Sequence, residues 1–183
     1  MIFFKCLYAC AFERIQKTNT NMKIAVDFGG VCSAAGEYEE RDEDGVEMIN
    51  VPHCVETIRH LKELGHRVIL VSFCGRRRAV ATRDYLETKM SGLFDQLFFV
   101  KKREYKKAIC ARYGVDVLID DNVDILRSLE APTVGILFTY EKPETRDDSM
   151  LIAKSWHHVP VLVSMLSSDH TENKSINIDK MCY

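Results

Sequence analysis

The sequence is poor in the features that mark special classes of protein. Only 4 prolines and 9 glycines occur in 183 residues, which excludes collagen-like and low-complexity chains. No charge sign dominates, since 25 Lys and Arg face 27 Asp and Glu for a net charge of −2. A generally basic nucleic-acid-binding protein is therefore excluded, and any anion site must be local. The length predicts a single domain.

Cysteine pairs and long apolar runs are also missing. The 7 cysteines form an odd set without C-x-x-C spacing, which argues against a disulfide framework or a zinc site and favours a reducing, cytoplasmic location. The apolar segment at residues 1–12 is shorter than the ~20 residues that span a membrane, and no charged segment precedes it as in a signal peptide. We predict that residues 1–21 are an extension outside the fold, which would start at Met22.

From residue 23 onward, strand-like and helix-like segments alternate. The predicted strands are 23–27, 67–72, 95–100, 115–119 and 133–137, and the predicted helices between them are 53–64, 76–90, 104–113 and 122–130. Continuous apolar strands that alternate with helices are typical of parallel βαβ units. We therefore predict an α/β fold with a doubly wound, Rossmann-like parallel sheet of about five strands over residues 22–167.

The C-terminal part of the chain has an apolar segment, which predicts a helix, followed by a polar segment, which predicts a tail. Residues 149–167 are predicted as a helix that is kinked or restarts at Pro160. Residues 168–183 are polar and aperiodic, and they predict a flexible tail.

Polar residues follow four of the predicted strands. In chain order they are Asp27 with Gly29 and Gly30, Ser72 with Cys74, Gly75 and Arg76–Arg78, the basic residues of 101–107, and Asp120 with Asp121 and Asn122. The carboxyl ends of parallel strands meet at one edge of the sheet, where ligands bind. Three carboxylates with oxygen ligands only suit Mg²⁺, while Ser, Lys and helix N-termini suit phosphate oxygens. The residues alone thus predict phosphoryl chemistry at a magnesium site.

These residues also resemble the motifs of the haloacid dehalogenase (HAD) superfamily of phosphatases and phosphotransferases. The matching segments, in order between residues 23 and 167, are VDFGGV at 26–31, LVSFCG at 70–75, a lysine within 101–107 and LIDDN at 118–122. The resemblance implies that Asp27 is a nucleophile that forms an aspartyl-phosphate and that Ser72 binds the phosphoryl group. It also implies Mg²⁺ ligands, which would be Asp27, the Gly29 carbonyl, Asp120 and Asp121.

The resemblance requires a lysine that neutralises the phosphoryl group. We favour Lys107, because it opens the helix that leads into the fourth strand, with Lys106, Lys102 and Lys101 as alternatives. The further candidates for substrate binding are Gly30, Cys74, Gly75, Arg76, Lys102 and Lys106.

One position departs from the superfamily pattern. Its phosphatases usually carry an aspartate two residues after the nucleophile as general acid and base, whereas this chain has Gly29. General acid–base catalysis contributes about 10²–10⁴-fold in rate. Either an acid from the 37–47 segment substitutes, or the chain is a slow or non-catalytic relative that binds phosphate.

The segment 32–51 lies where the superfamily places a flap or cap. It is too short for a folded cap domain, and it carries seven acidic residues between 37 and 47. A solvated hairpin with its turn at 44–45 is favoured over a direct catalytic role. An uncapped site indicates either a large substrate or a lid from a second copy of the chain.

The sequence as a whole predicts a Mg²⁺-dependent phosphoric monoester hydrolase or phosphotransferase. Its substrate would be a nucleotide, another phosphorylated small molecule or a phosphorylated macromolecule, with no membrane partner. The D-x-G-G at 27–30 also begins a phosphate loop in the actin and hexokinase group, but Val31 and the short chain argue against a sugar kinase.

Overall fold

Six parallel strands form a single sheet in the computed structural model, which describes residues 21–34, 50–140 and 150–176. The strands are β1 (Lys23–Val26), β2 (Arg67–Phe73), β3 (Gln96–Val100), β4 (Val117–Asp120), β5 (Val134–Phe138) and β6 (Leu151–Ala153). Their order is β3-β2-β1-β4-β5-β6, so the winding reverses between β1 and β4. A reversal of this kind opens a crevice at the carboxyl ends of the two central strands. The predicted doubly wound α/β fold is confirmed.

The central strands are buried on both faces because helices cover both sides of the sheet. Ile24, Ala25 and Val26 of β1 are all inaccessible to solvent. Ile24 and Val26 pack in one hydrophobic cluster and Ala25 in the other, as the alternation of side chains along a strand requires. This double burial explains why the strands are continuously apolar.

In the described parts of the chain, five helices and one short 3₁₀ helix surround the sheet. The helices are α1 (Cys54–Glu63), α2 (Arg76–Lys89), α3 (Tyr105–Tyr113), α4 (Val123–Arg127) and α5 (Val159–Ile176), with the 3₁₀ helix at Trp156–His158. Gly114 ends α3 in the left-handed conformation (φ 57°), and the Asn122 side chain caps α4 by accepting from the Ile125 amide at 3.1 Å. The four predicted internal helices are all present.

The prediction for the C-terminal segment is wrong at its start. Leu151–Ala153 form a sixth strand that pairs with β5, where a helix was predicted from residue 149. Pro160 lies in the first turn of α5, directly after the 3₁₀ helix, so the helix restarts there, one of the two predicted possibilities, and is not kinked by the proline. The helix continues to Ile176, beyond the predicted start of a flexible tail at residue 168.

Several predicted segments lie outside the described residues, namely 1–20 of the N-terminal extension, 35–49 of the flap and 177–183 of the tail. Within the described parts of the chain, no helix combines the length and the apolar character needed to cross a lipid bilayer.

Candidate active site

A cavity of about 300 Å³ lies at the carboxyl ends of the central strands. Eight of the residues predicted for the site line it: Asp27, Gly29, Gly30, Cys74, Gly75, Lys106, Asp120 and Asp121. Four further residues line it: Arg78, Arg103 and Asn122, which belong to segments predicted at this edge but were not selected individually, and Phe73, which was not predicted. The strand ends thus converge as the parallel sheet requires.

Three carboxylates meet in this cavity. One carboxylate oxygen each from Asp27, Asp120 and Asp121 lies within 4.8 Å of the others. Asp27 directly follows β1 and is 7% exposed, and Asp120 ends β4 with no exposed surface. Buried carboxylates repel one another and are stable only beside a cation. An all-oxygen donor set of this kind fits a hard divalent cation such as Mg²⁺.

Lys106 supplies a positive charge inside the cluster. Its side chain is 2% exposed, and its Nζ lies 2.8 Å from Asp27 Oδ2 and 2.7 Å from Asp120 Oδ2. The preference for Lys107 is therefore corrected: Lys107 is exposed and does not line the cavity. Adjacent residues on a helix point about 100° apart, so only one of the two lysines can face the site.

Backbone amides fix the two buried carboxylates from their other side. The Phe28 amide donates to Asp27 Oδ1 at 2.8 Å, and the Asn122 amide donates to Asp120 Oδ1 at 3.0 Å. Each carboxylate therefore has one oxygen held by the backbone and one by Lys106. Their orientation is set before any ligand binds.

Burial governs the protonation of the cluster. It raises the pKa of Asp27, Asp120 and Asp121, while the Lys106 ammonium acts in the opposite direction on all three. Burial would lower the pKa of Lys106, but the Asp27 and Asp120 carboxylates outweigh it and raise that pKa. Lys106 is consequently held in its charged form.

Two consecutive glycines shape the loop after β1. Gly30 has a φ of 77°, and a Cβ at this position would lie 2.1 Å from Asp121 Oδ2. Only glycine combines that backbone conformation with room for the carboxylate. At Gly29, by contrast, an added Cβ would meet nothing within 4 Å. The space beside Gly29 is open.

Besides Lys107, three predicted residues do not line the cavity. Ser72 is 4% exposed within β2, and Arg76 and Lys102 are exposed. The Lys102 Nζ instead lies 3.5 Å from Glu104 Oε1. Arg78 and Arg103 line the cavity where Arg76 and Lys102 were predicted to line it. The reason is that the rotation of the helix or the path of the loop sets the direction of each side chain.

Comparison with known proteins identifies the fold. No protein-family model matches the sequence, and no curated protein matches it either. Among solved structures, an uncharacterised protein from Listeria monocytogenes serotype 4b is similar, with a TM-score of 0.59 and 13% identity over 80% of this chain and 99% of that one. A HAD-superfamily hydrolase from Ehrlichia chaffeensis has a TM-score of 0.57 and 12% identity over 80% and 98% of the two chains.

A third similar structure has a described ligand. The D,D-heptose 1,7-bisphosphate phosphatase from B. bronchiseptica, complexed with magnesium and phosphate, has a TM-score of 0.56 and 16% identity, over 78% of this chain and 97% of that one. The chain therefore has the fold of HAD-superfamily hydrolases, which confirms the resemblance seen in the motifs at the level of the fold.

Proposed function

We propose that this chain is a Mg²⁺-dependent phosphohydrolase or phosphotransferase of the HAD type, with Asp27 as the nucleophile. The observation that carries the proposal is the Lys106 ammonium between Asp27 and Asp120, with Asp121 beside them, in a cavity at the switch point of the sheet. The shared fold supports it, and so does a neighbour of that fold complexed with magnesium and phosphate.

The carboxylate cluster fits Mg²⁺ by its chemistry. Asp27, Asp120 and Asp121 would hold the ion together with the Gly29 carbonyl, and the absence of a side chain at Gly30 leaves room for Asp121. When bound there, Mg²⁺ supplies positive charge to the phosphoryl oxygens and orients the phosphoryl group.

Asp27 acts as nucleophile in the first step. One of its carboxylate oxygens forms a bond to phosphorus while the bond from phosphorus to the leaving oxygen breaks, which leaves an aspartyl-phosphate. A water molecule then attacks that phosphorus, the bond to Asp27 breaks, and inorganic phosphate is released with a proton passing to solvent. A hydroxyl of an acceptor molecule in place of water would make the same chain a phosphotransferase.

Lys106 and the N-terminus of α2 support these steps. The Lys106 ammonium holds Asp27 in one orientation and offsets the negative charge that gathers as phosphate approaches. Cys74 and Gly75 line the cavity just before α2 begins, so backbone N–H groups at the start of this helix would face a phosphoryl group bound in the cavity. These groups bind the phosphoryl oxygens without themselves exchanging a proton.

Hydrolysis of p-nitrophenyl phosphate with Mg²⁺ tests the proposal. We expect wild-type activity that a chelator abolishes and that Asp27→Asn lowers by about 10³-fold or more, since the nucleophile is lost. Asp84→Asn, an exposed aspartate on α2, is the matched control and should keep full activity.

Two results would contradict the proposal. Equal activity in wild type and Asp27→Asn would exclude the assigned nucleophile. A folded wild-type chain that binds phosphate but hydrolyses no phosphate ester would favour the non-catalytic alternative suggested by Gly29.

A further inference from the structure

Two arginines line the same cavity as the carboxylate cluster. Arg78 comes from the first turn of α2, and Arg103 from the loop between β3 and α3. The Arg103 guanidinium lies 5.2 Å from the centroid of the Phe73 ring, which is itself 39% exposed. This cation–π contact orients the guanidinium at the cavity. The described lining therefore carries two guanidinium groups in addition to the Lys106 ammonium, which is itself paired with Asp27 and Asp120.

Arg78 shares the cavity with the reacting groups, since Arg78, Cys74 and Asp27 all line it. Burial raises the pKa of the Cys74 thiol, and the charges of Arg78 and Asp27 act on that pKa in opposite directions. An anion bound by Arg78 would lie close to a phosphoryl group bound at Asp27.

The described lining of the cavity offers no carboxyl group outside the Asp27, Asp120 and Asp121 cluster to protonate a leaving group. Among the described lining residues, the only carboxyl groups are those of Asp27, Asp120 and Asp121, and there is no histidine or tyrosine. All three carboxyl groups belong to the cluster that contains Lys106. No side chain fills the space beside Gly29, where an added Cβ would meet no atom within 4 Å. A leaving group that must be protonated, such as an alkoxide, therefore meets no carboxylic acid outside the cluster, and no histidine or tyrosine, among the described lining residues.

We propose that Arg78 and Arg103 bind an anionic leaving group of low basicity, so that the site acts on phosphoanhydrides, such as the terminal phosphoryl group of a nucleoside diphosphate. The inference rests on the proposed function of Asp27 and names its substrate class. Guanidinium groups match the oxygens of a phosphate in pairs and keep their charge at every physiological pH.

The chemical step needs no acid for such a substrate. An Asp27 oxygen bonds to the terminal phosphorus, and the bond from that phosphorus to the bridging oxygen breaks. The electron pair stays on the bridging oxygen, now part of the departing phosphate, whose charge the two guanidinium groups stabilise. The cavity volume of about 300 Å³ is at the small end for ligand sites, which suits a diphosphate group with its nucleoside directed outward.

ADP and AMP form a matched substrate pair for the test. They share the nucleoside, but ADP releases an anionic phosphate whereas AMP releases a basic alkoxide. With Mg²⁺, we expect a kcat/KM for the terminal phosphate of ADP that exceeds that for AMP by about 10²-fold or more, the range of a missing general acid. Gly29→Asp should raise the kcat/KM for AMP and narrow this ratio.

Arginine variants test the leaving-group site itself. We expect Arg78→Gln and Arg103→Gln each to lower kcat/KM for ADP by about 10-fold or more, as the loss of a charge-assisted hydrogen bond does, and to change that for p-nitrophenyl phosphate by less than about 3-fold. Arg112→Gln is the control, because Arg112 also lies over an aromatic ring, Tyr113 at 5.9 Å, but outside the cavity lining. It should leave both values unchanged.

The outcomes separate this inference from the proposed function. If p-nitrophenyl phosphate is not hydrolysed, the proposed function fails. If p-nitrophenyl phosphate is hydrolysed but AMP is as good a substrate as ADP, or if the arginine variants lower both substrates equally, the proposed function stands and the phosphoanhydride inference is overturned. Equal kcat/KM values for AMP and ADP would also assign the general acid to residues outside the described lining.

Discussion

Two neighbouring lysines of α3 have opposite environments. Lys106 is 2% exposed and bonded to two buried carboxylates, whereas Lys107 is exposed. Sequence position does not distinguish the two lysines, because both follow the same strand and both belong to the basic 101–107 segment. The distinction arises from the rotation of the helix, which turns one side chain toward Asp27 and the next toward solvent.

Removal of the buried lysine charge should destabilise the chain. Lys106→Met leaves Asp27 and Asp120 buried without their cation, and breaking a buried ion pair from one side costs about 3–5 kcal/mol. Urea denaturation in the absence of Mg²⁺ measures the loss. Lys107→Met is the matched variant, and its free energy of unfolding should stay within about 0.5 kcal/mol of wild type. Equal losses in the two variants would contradict the assignment of Lys106.

Gly30 is expected to control the affinity for Mg²⁺. Gly30→Ala places a methyl group where the Asp121 carboxylate lies, so this carboxylate must leave the cluster and Mg²⁺ binding should weaken by about 10-fold or more, as loss of one charged ligand implies. Calorimetric titration with Mg²⁺ measures it. Gly92→Ala is the control, since Gly92 also has a positive φ, of 72°, but a Cβ there meets nothing within 4 Å. Unchanged affinity in Gly30→Ala would show that Asp121 is not a ligand.

At the scale of secondary structure, the C-terminal elements are attached to the loop after β1. The Trp156 side chain is completely buried, and its indole N–H donates to the Val31 carbonyl at 2.9 Å. This hydrogen bond joins the 3₁₀ helix to the loop that carries Gly29 and Gly30. The position of the glycine loop therefore depends on residues more than a hundred positions away in the chain.

Trp156→Phe tests this connection. Phenylalanine keeps an aromatic ring in the core but leaves the buried Val31 carbonyl without its donor, which costs about 1–3 kcal/mol. Thermal unfolding followed by circular dichroism should show a lowered Tm with unchanged helix content. A Tm equal to that of wild type would mean that the indole hydrogen bond contributes nothing.

Helices and strands could be predicted from the sequence where the apolar or periodic segment was long enough to recognise and residues such as glycine marked its end. The central strands are apolar except at their ends, where Lys23 and Asp120 lie, and Gly114 marks the end of α3. Strand β6 could not be predicted, because its three residues, Leu151–Ala153, are too few to show a period and it forms only by pairing with β5.

At the scale of the whole molecule, one half-buried histidine, His66, links stability to pH. His66 Nδ1 accepts from the Met22 amide at 3.2 Å, which joins the turn before β2 to the start of β1. Burial lowers the pKa of His66 below its usual value of 6.5. The unfolded chain therefore binds a proton more readily than the folded chain, so this contribution to stability is constant above about pH 6.5 and is lost as the pH falls below it.

Urea denaturation at about pH 7.5 and about pH 5.5 checks this sign, since the two values bracket the ordinary histidine pKa. The fall in the free energy of unfolding toward the lower pH should be larger in wild type than in His66→Gln, which cannot be protonated. The comparison of the two chains removes the contribution of the cavity carboxylates, which is the same in both. An identical fall in both chains would show that His66 is not the group responsible.

The charged groups of the site could be predicted from the sequence, but the directions of their side chains could not. Asp27, Asp120 and Asp121 could be located because they end apolar strands, and parallel strands end at one edge. Arg78 and Arg103 could not be chosen from among their basic neighbours, since only the turn of α2 and the contact of Arg103 with Phe73 direct them to the cavity. The flap, predicted over 32–51 as a solvated hairpin rather than a catalytic element, lies outside the described residues at 35–49.

The central claim is that Asp27 accepts the phosphoryl group. The most direct measurement is mass spectrometry of the chain quenched in acid during turnover of p-nitrophenyl phosphate with Mg²⁺. We predict one added phosphoryl group on the peptide that contains Asp27, accumulated because no acid or base at Gly29 assists its hydrolysis, and its absence from Asp27→Asn. Turnover with no phosphorylated peptide in wild type, or with the same modified peptide in Asp27→Asn, would contradict the claim.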